Sequence, residues 1–135
     1  MEKILKADLT TERIEVLDYE PKSWGCYGRG LALKLVASSV PHYAGRYSPE
    51  NAIALVPGIL TGCKVASCCR VTIASKRGKG EGLQVCNVSG NLPQKMASLS
   101  IAGLLICGKS TEKNAVLHIG EDSAEIIHMP ELERK

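Results

Sequence analysis

Short apolar segments, most of them alternating with polar residues, recur along nearly the whole chain and restrict its fold more than any other feature. Alternation with a period of two is typical of β-strands that bury one face. The segments are separated by turn-forming Gly, Pro, Asn, Asp and Ser residues. They span residues 3–9, 13–19, 52–58, 69–75, 83–89, 103–110, 115–120 and 124–130. This pattern predicts about eight strands and does not match the strand–helix repeat of a dinucleotide-binding fold.

Three of the connections between these segments are short enough to predict antiparallel hairpins. The first two segments are joined by residues 10–12, and the last two by residues 121–123. Residues 69–75 and 83–89 are joined by the glycine-rich stretch KRGKGEG. This stretch does not match the phosphate-binding pattern GxxxxGK[ST], and an alternating segment follows it instead of a helix. We therefore interpret it as a hairpin turn with a cationic tip.

Two segments carry helical patterns. From Leu31 onward, apolar residues recur at helical spacing until Pro41 ends the pattern. Residues 91–101 suit a second short helix, with Pro93 at its first position. The predicted fold class is α+β: a mixed, largely antiparallel sheet with two short helices, in one domain that spans residues 1–135.

Composition excludes several classes of function. The formal net charge is only +3 and aromatic residues make up 4%, so the chain lacks the basic, aromatic-rich surface typical of nucleic-acid binding. No apolar run approaches the length of a membrane span, and the amino terminus lacks the apolar core of a signal peptide. We expect a cytoplasmic protein that binds neither nucleic acid nor membrane.

The six cysteines predict neither a metal centre nor disulfides. No pair forms a CxxC motif and no histidine lies at zinc-finger spacing from any of them. We expect reduced thiols, several of them acting as small core residues.

Three polar or charged positions invite a functional reading from the residues alone, and the two arginines also have a structural one. Arg70 lies in a predicted strand, where an inward-pointing guanidinium must find an anion, although half of such positions face water. Asn87 lies near the end of the opposite strand, within reach of that region. Arg29 stands between two glycines at a helix entry, which favours anions but is more often only a turn. Histidines 42, 118 and 128 lack a catalytic partner, and we identify no catalytic residue and no metal ligand set.

Several segments, read in order, resemble the amino-terminal domain of the aldehyde ferredoxin oxidoreductase family of tungsten enzymes. The matching pieces are ADLTTERIEVLDY, YGRGLALKL, YSPENAIALVPGILTG, a strand beginning with an arginine, a strand ending near an asparagine, and SIAGLLICGKS. Their order and gaps agree over about residues 3–130. The motif SPEN followed by LTG is the most specific of these pieces, and each of the others is weak by itself.

The resemblance implies a base on which a tungsten or molybdenum bis-pterin cofactor rests. It places Arg70 where the family has an arginine beside the pterin, Asn87 where an asparagine meets the pterin, and Gly90 in the family's glycine turn. Arg29 falls in the family's helix entry. A guanidinium and an amide are the groups that bind an anionic phosphate and the polar edge of a pterin ring.

The sequence also departs from the family pattern. Residues 88–90 are VSG where the family has two adjacent glycines, and residues 63–69 are bulkier than the family's small-residue loop. The family's helical domains, with their cluster-binding cysteines, have no counterpart in this chain. A complete enzyme is therefore not expected from these residues alone.

Two main functional hypotheses follow. In the first, the chain is a cofactor-base subunit, not catalytic alone, that works with a separate cluster-bearing catalytic subunit. In the second, it is a non-catalytic homodimeric domain that has lost pterin binding, and an unrelated binding module is a third possibility. The family domain is built from two similar units, so we expect a single unit to form a homodimer that covers its exposed apolar surface.

Overall fold

The computed structural model describes residues 2–78, 82–112 and 114–132, and it contains eight strands. The strands are β1 (Lys3–Asp8), β2 (Arg13–Asp18), β3 (Ala52–Pro57), β4 (Arg70–Lys76), β5 (Leu83–Ser89), β6 (Ile101–Cys107), β7 (Ala115–Ile119) and β8 (Ala124–His128). The helices are α1 (Pro21–Trp24), α2 (Gly28–Ser39) and α3 (Asn91–Ser98), and a 3-10 turn covers Pro130–Leu132.

Six of the strands form one sheet in the order β2-β1-β6-β3-β4-β5, and β7 and β8 form a separate hairpin. Only the β1–β6 pair is parallel, and every other strand pair is antiparallel. The predicted fold class, α+β with a mixed and largely antiparallel sheet, is confirmed, as are all three predicted hairpins. The link within the β4–β5 hairpin falls partly on residues 79–81, which lie outside the described residues.

The sheet is covered on both faces. Leu31, Leu35 and Val36 of α2 pack on one face, against Ile4 and other buried strand residues. The opposite face is covered by α3 and by the β7–β8 hairpin. There Met96, Leu117 and Ile119 pack against strand residues that include Leu5, Val71 and Leu104. Both faces of the sheet are therefore covered by apolar cores, and only its ends and its outer strands remain open to a ligand or partner.

Several predicted boundaries are wrong, for local reasons. Helix α2 begins at Gly28, before the first apolar residue of the pattern, because Tyr27 is still extended and serves as the N-cap. Helix α3 begins at Asn91, so Pro93 is its third residue and not its first. The third N–H of a helix has no intrahelical partner, so the proline costs no hydrogen bond there. The single turn α1 was not predicted, and it closes where Gly25 adopts φ +66°.

The prediction that several cysteines act as core residues is wrong. None of the six side chains is fully buried, and Cys63 and Cys86 are exposed. Cys26 and Cys107 pack against the core only at its margin. The reason is position, because the cysteines lie in loops, at strand ends or on an edge strand. All six are free thiols.

None of the described helices is long and apolar enough to span a bilayer. Within residues 2–78, 82–112 and 114–132, no group of three or more His, Cys, Asp or Glu side chains is arranged to hold a metal ion.

Candidate functional site

The predicted site residues lie at one end of the six-stranded sheet, which we call the site end. It is the end where β3 finishes at Pro57, β4 begins at Arg70 and β5 finishes at Ser89. The register of the strands defines it, since Arg70 is paired with Ser89 and Pro57 with Val71. The first turn of α2 belongs to the same end, because Gly28 and Leu31 line a cavity together with Val56 and Pro57.

Arg70 is the first residue of β4 and not, as predicted, a residue inside the strand. Its carbonyl accepts a hydrogen bond from the Gly58 N–H, which closes the long loop before β4. Thr72 and Ala74 lie on the same face of the strand and are buried, whereas Arg70 lies beyond them and is exposed. Among the described residues, no carboxylate lies within ion-pair distance of its guanidinium. The donors of Arg70 are therefore available to an anion from outside the chain.

Asn87 lies opposite Thr72 in the β4–β5 ladder, on the same face as Arg70. The Thr72 hydroxyl donates to Asn87 Oδ1 at 2.9 Å. This bond uses the carbonyl of the amide and leaves the two N–H donors of Asn87 facing solvent. Arg70 and Asn87 are diagonal neighbours across the ladder, a relation that puts Cα atoms about 7–8 Å apart and within reach of one ligand.

Gly90 and Arg29 complete the set of predicted residues. Gly90 directly precedes α3 with φ +145°, and an added Cβ would find no atom within 4 Å. Arg29 is the second residue of α2, and its side chain is exposed. The structure therefore brings Arg70 and Asn87 together on two neighbouring strands, with Gly90 directly after the second strand. Arg29 lies at the same end of the molecule, on the helix.

The site end carries positive charge in the segments that contain Arg29, Arg70 and Asn87, although Glu2 lines the cavity at the same end. These segments are residues 28–30, 58–70 and 87–98, and they contain four cations and no Asp or Glu. The cations are Arg29, Lys64, Arg70 and Lys95, and all four are exposed. A concentration of one charge in a chain that is nearly balanced overall indicates a surface for an anionic ligand.

Two neighbouring thiols precede Arg70. Desolvation, and then the neighbouring Cys69 thiol, raise the pKa of Cys68 above its ordinary value. The Cys68 thiol donates to the Val65 carbonyl at 3.0 Å, and Gln94 Nε2 donates to Cys69 Sγ at the same distance. Cys68 is therefore protonated at neutral pH and supports the loop as a neutral hydrogen-bonding group.

A cavity of about 520 Å³ opens at the site end, and sequence reasoning missed it. Its walls include Tyr19, Tyr27, Leu31, Gln94 and the loop at residues 57–63. None of the four predicted residues lines the cavity. The motif PGILTG, at residues 57–62, forms one wall and was the available sequence signal for the cavity.

Tyr19 stabilises one wall of this cavity. Its hydroxyl donates to the Cys26 carbonyl at 2.8 Å, and the ring is 4% exposed. Burial raises the pKa of Tyr19 to about 12. The neutral phenol therefore stabilises the fold below pH 10.0, the ordinary pKa of tyrosine, and this contribution is lost as the pH rises toward about 12.

We expect Tyr19→Phe to lower the free energy of unfolding by about 1 kcal/mol below pH 10, because the Cys26 carbonyl loses its partner. Above pH 10 the difference from the wild-type protein is expected to shrink, since only the wild-type protein must then ionise or expose a buried phenol. Urea unfolding of both proteins on either side of pH 10 measures this. Tyr47→Phe is the control, since Tyr47 is 89% exposed. A constant difference in unfolding free energy between the two proteins across the pH range would contradict the raised pKa of Tyr19.

Comparison with known proteins supports the resemblance noted in the sequence. The chain is 26% identical over 127 residues to a tungsten-containing aldehyde ferredoxin oxidoreductase of Thermococcus kodakarensis, covering 92% of this chain and 21% of that protein. Among solved structures, it resembles the active site complex BamBC of benzoyl coenzyme A reductase in complex with 1,5-dienoyl-CoA. The TM-score is 0.88 at 25% identity, and the match covers 97% of this chain and 20% of that chain.

The chain thus spans about a fifth of the length of each of these relatives. The family described as aldehyde ferredoxin oxidoreductase, N-terminal domain, matches residues 4–135, which is nearly the entire chain. The suspected resemblance is confirmed, and this chain belongs to the aldehyde ferredoxin oxidoreductase N-terminal domain family.

Proposed function

We propose that this chain is the cofactor-base subunit of a tungsten or molybdenum bis-pterin oxidoreductase of the aldehyde ferredoxin type. The observation that carries the proposal is the site end, where four exposed cations lie on segments that contain no carboxylate of their own. An anion of matching size bound there would neutralise charge that the chain itself leaves unpaired. This subunit holds the cofactor and is not catalytic alone.

The residues present fit the chemistry of a pterin with its phosphate. Arg70 offers a planar fork of donors that matches the geometry of a phosphate. Asn87 presents two N–H donors in a fixed orientation, because Thr72 already occupies its carbonyl. Open space at Gly90 lets a flat ring approach the backbone. Arg29 adds a further positive charge on the helix side of the same end.

When bound, the metal of such a cofactor supplies the two-electron redox chemistry. The residues of this chain contribute binding and orientation only. The site end is open on its outer side, so a partner must cover a cofactor held there. Exposed apolar side chains surround the site end, as expected for a docking surface: Tyr27, Ile59, Leu60, Val65, Val88 and Leu92.

We assign this covering role to a separate, cluster-bearing catalytic subunit in the cytoplasm. The solved relative is itself described as a complex, BamBC, which supports an arrangement of several chains. A second copy of this chain is the other expected partner, since a single family unit exposes apolar surface that its twin covers.

The decisive test is co-expression with the partner in a host that makes the pterin, followed by metal analysis of the purified complex. We expect about one tungsten or molybdenum per cofactor site, and about a tenfold to hundredfold weaker retention in Arg70→Gln, because charge-assisted hydrogen bonds contribute about 1.5–3 kcal/mol. Arg13→Gln is a matched control, because Arg13 is also the exposed first residue of a strand but lies at the opposite end of the sheet. Equal metal content in both variants would refute a role for Arg70.

A second candidate function is a non-catalytic homodimeric domain that has lost pterin binding. It is favoured by the bulky loop at residues 63–69 and by Val88 and Ser89, which stand where the family has small residues. Under this reading the complex with the partner forms, but the purified complex contains neither metal nor pterin. The experiment above separates the two functions.

A further inference from the structure

The two outer strands of the main sheet differ sharply in their chemistry. Strand β2 carries Arg13, Glu15 and Asp18 among its six residues, and charges of this kind discourage pairing with another strand. Strand β5, at the other edge, has seven residues, LQVCNVS, and none of them is charged or a proline. Its Val85 and Val88 side chains are 37% and 47% exposed. An uncharged open edge of this length is a template for strand addition.

The hydrogen-bond pattern identifies which backbone groups of β5 are open. Gly58 N–H bonds to the Arg70 carbonyl, so alternate residues of β4 beginning with Arg70 bond toward β3. Arg77 N–H bonds to the Gly82 carbonyl, so the intervening residues of β4 bond toward β5. The even-numbered residues of β5 therefore bond inward. Its odd-numbered residues point their N–H and C=O groups to the open side, and no described residue bonds to them: Leu83, Val85, Asn87 and Ser89.

From this geometry we infer that β5 pairs antiparallel with β5 of a second copy of the chain, about a twofold axis at Cys86. Cys86 is the middle residue of β5, so this register pairs all seven residues. Val85 then faces Asn87 of the second copy and Leu83 faces Ser89, and every open backbone group of the four residues gains a partner. Cys86 faces its own copy at a non-hydrogen-bonded position, where Cα atoms come within about 4.5 Å.

Charge favours a second copy in this antiparallel orientation. The strand has no charges of its own, so self-pairing opposes no like charges across the ladder. The cationic hairpin that precedes β5, with Lys76 and Arg77, would lie beside its own copy in a parallel pair. In the antiparallel pair the two hairpins lie at opposite ends of the interface, about 20 Å apart at 3.3 Å for each strand residue.

This pairing deepens the proposed function and rests on the homodimer proposed above. It puts the exposed Arg77 region of the second copy beside Ser89 and Gly90 of the first, so each copy adds positive charge to the site end of the other. Arg77 would then act in the anion site of the partner copy and not in its own.

Sedimentation velocity tests the interface with matched variants. We expect the wild-type chain to be dimeric at micromolar concentration, and Val85→Lys to raise the dimer dissociation constant about tenfold or more, because two like charges would then flank the axis. Val16→Lys makes the same change on the β2 edge, where Val16 is 61% exposed, and should leave the dimer intact. Val85→Pro is a second variant, since the Val85 N–H points outward and its loss breaks no β4–β5 bond.

Chemical cross-linking tests the register. A short bis-maleimide, which adds one thiol across each of its two double bonds, should link two chains through Cys86. The product should vanish in Cys86→Ser and persist in Cys63→Ser, which removes another exposed thiol.

A wild-type chain that is monomeric at these concentrations would overturn both the homodimer and its interface. A dimer that is insensitive to Val85→Lys and Val85→Pro, with no link through Cys86, would overturn this interface alone and leave the homodimer standing. Metal content, measured separately, reports on the cofactor-base function whichever result is obtained.

Discussion

The Gly108→Ala variant is expected to lower the free energy of unfolding by about 3 kcal/mol or more, because the added methyl group meets both a disfavoured backbone conformation and a close steric contact. Gly108 follows β6 with φ +78°. A Cβ there would lie 2.6 Å from Asp8 Oδ1 and from Thr10 Oγ1, and 2.9 Å from the Thr10 nitrogen. No such contact is tolerated without movement of the backbone.

The contact is costly because these same groups hold a turn together. Asp8 Oδ1 accepts hydrogen bonds from the N–H groups of Thr10 and Thr11, and the Lys109 N–H donates to Thr10 Oγ1. Burial by itself would raise the pKa of Asp8, but these N–H groups hold that pKa below its ordinary value. Displacing the turn would uncouple the β1–β2 hairpin from the end of β6.

Gly25→Ala is the control that separates the effect of the backbone conformation from that of the steric contact. Gly25 has φ +66°, but an added Cβ would meet nothing within 4 Å. We expect this variant to lose only about 1 kcal/mol, the conformational part of the effect. Urea unfolding followed by circular dichroism measures both variants. Similar losses would mean that the turn moves aside easily and that the close contact is unimportant.

The second large effect is expected for Ile4→Ala, which should cost about 2–5 kcal/mol by leaving a cavity in the core under α2. Ile4, the second residue of β1, is 0% exposed and packs against the helix residues on that face. The core contains no phenylalanine, because the chain has none.

Ile53→Ala is the matched control, since Ile53 lies in β3 of the same sheet but is 45% exposed. We expect a loss of about 1 kcal/mol or less there. Chemical denaturation with a common slope for the three proteins is the measurement. Equal losses at the two positions would contradict the assignment of the core to the α2 face.

Local patterns predicted the strands and their hairpins because alternation and turn residues act over a few positions. The same patterns did not predict that β1 pairs in parallel with β6, since the partners are separated by most of the chain and no short motif specifies them. The order of the strands in the sheet is therefore a tertiary property.

Local patterns predicted only the part of the candidate site that lies within one hairpin. The pairing of Arg70 with the end of β5 followed from the hairpin, but the exposure of Arg70 depended on where the preceding loop joins β4. The cavity is formed by five separate segments, so no single stretch of sequence contained it. The cysteines were misjudged because thiols are usually buried, a tendency that says nothing about whether a given residue lies on an edge strand.

Strand β6 lies between β1 and β3 and is the only link between two parts of the sheet, β2-β1 and β3-β4-β5. Both parts leave the ribosome before β6 does, since β6 spans Ile101–Cys107. Until β6 is synthesised, β1 and β3 each have one unpaired edge, and the apolar faces of the two parts are exposed to other chains. Chaperones bind partly folded chains of this kind. Assembly of the sheet therefore depends on this strand, and a translation product that ends before it would be one chain with two unjoined strand units and exposed apolar faces.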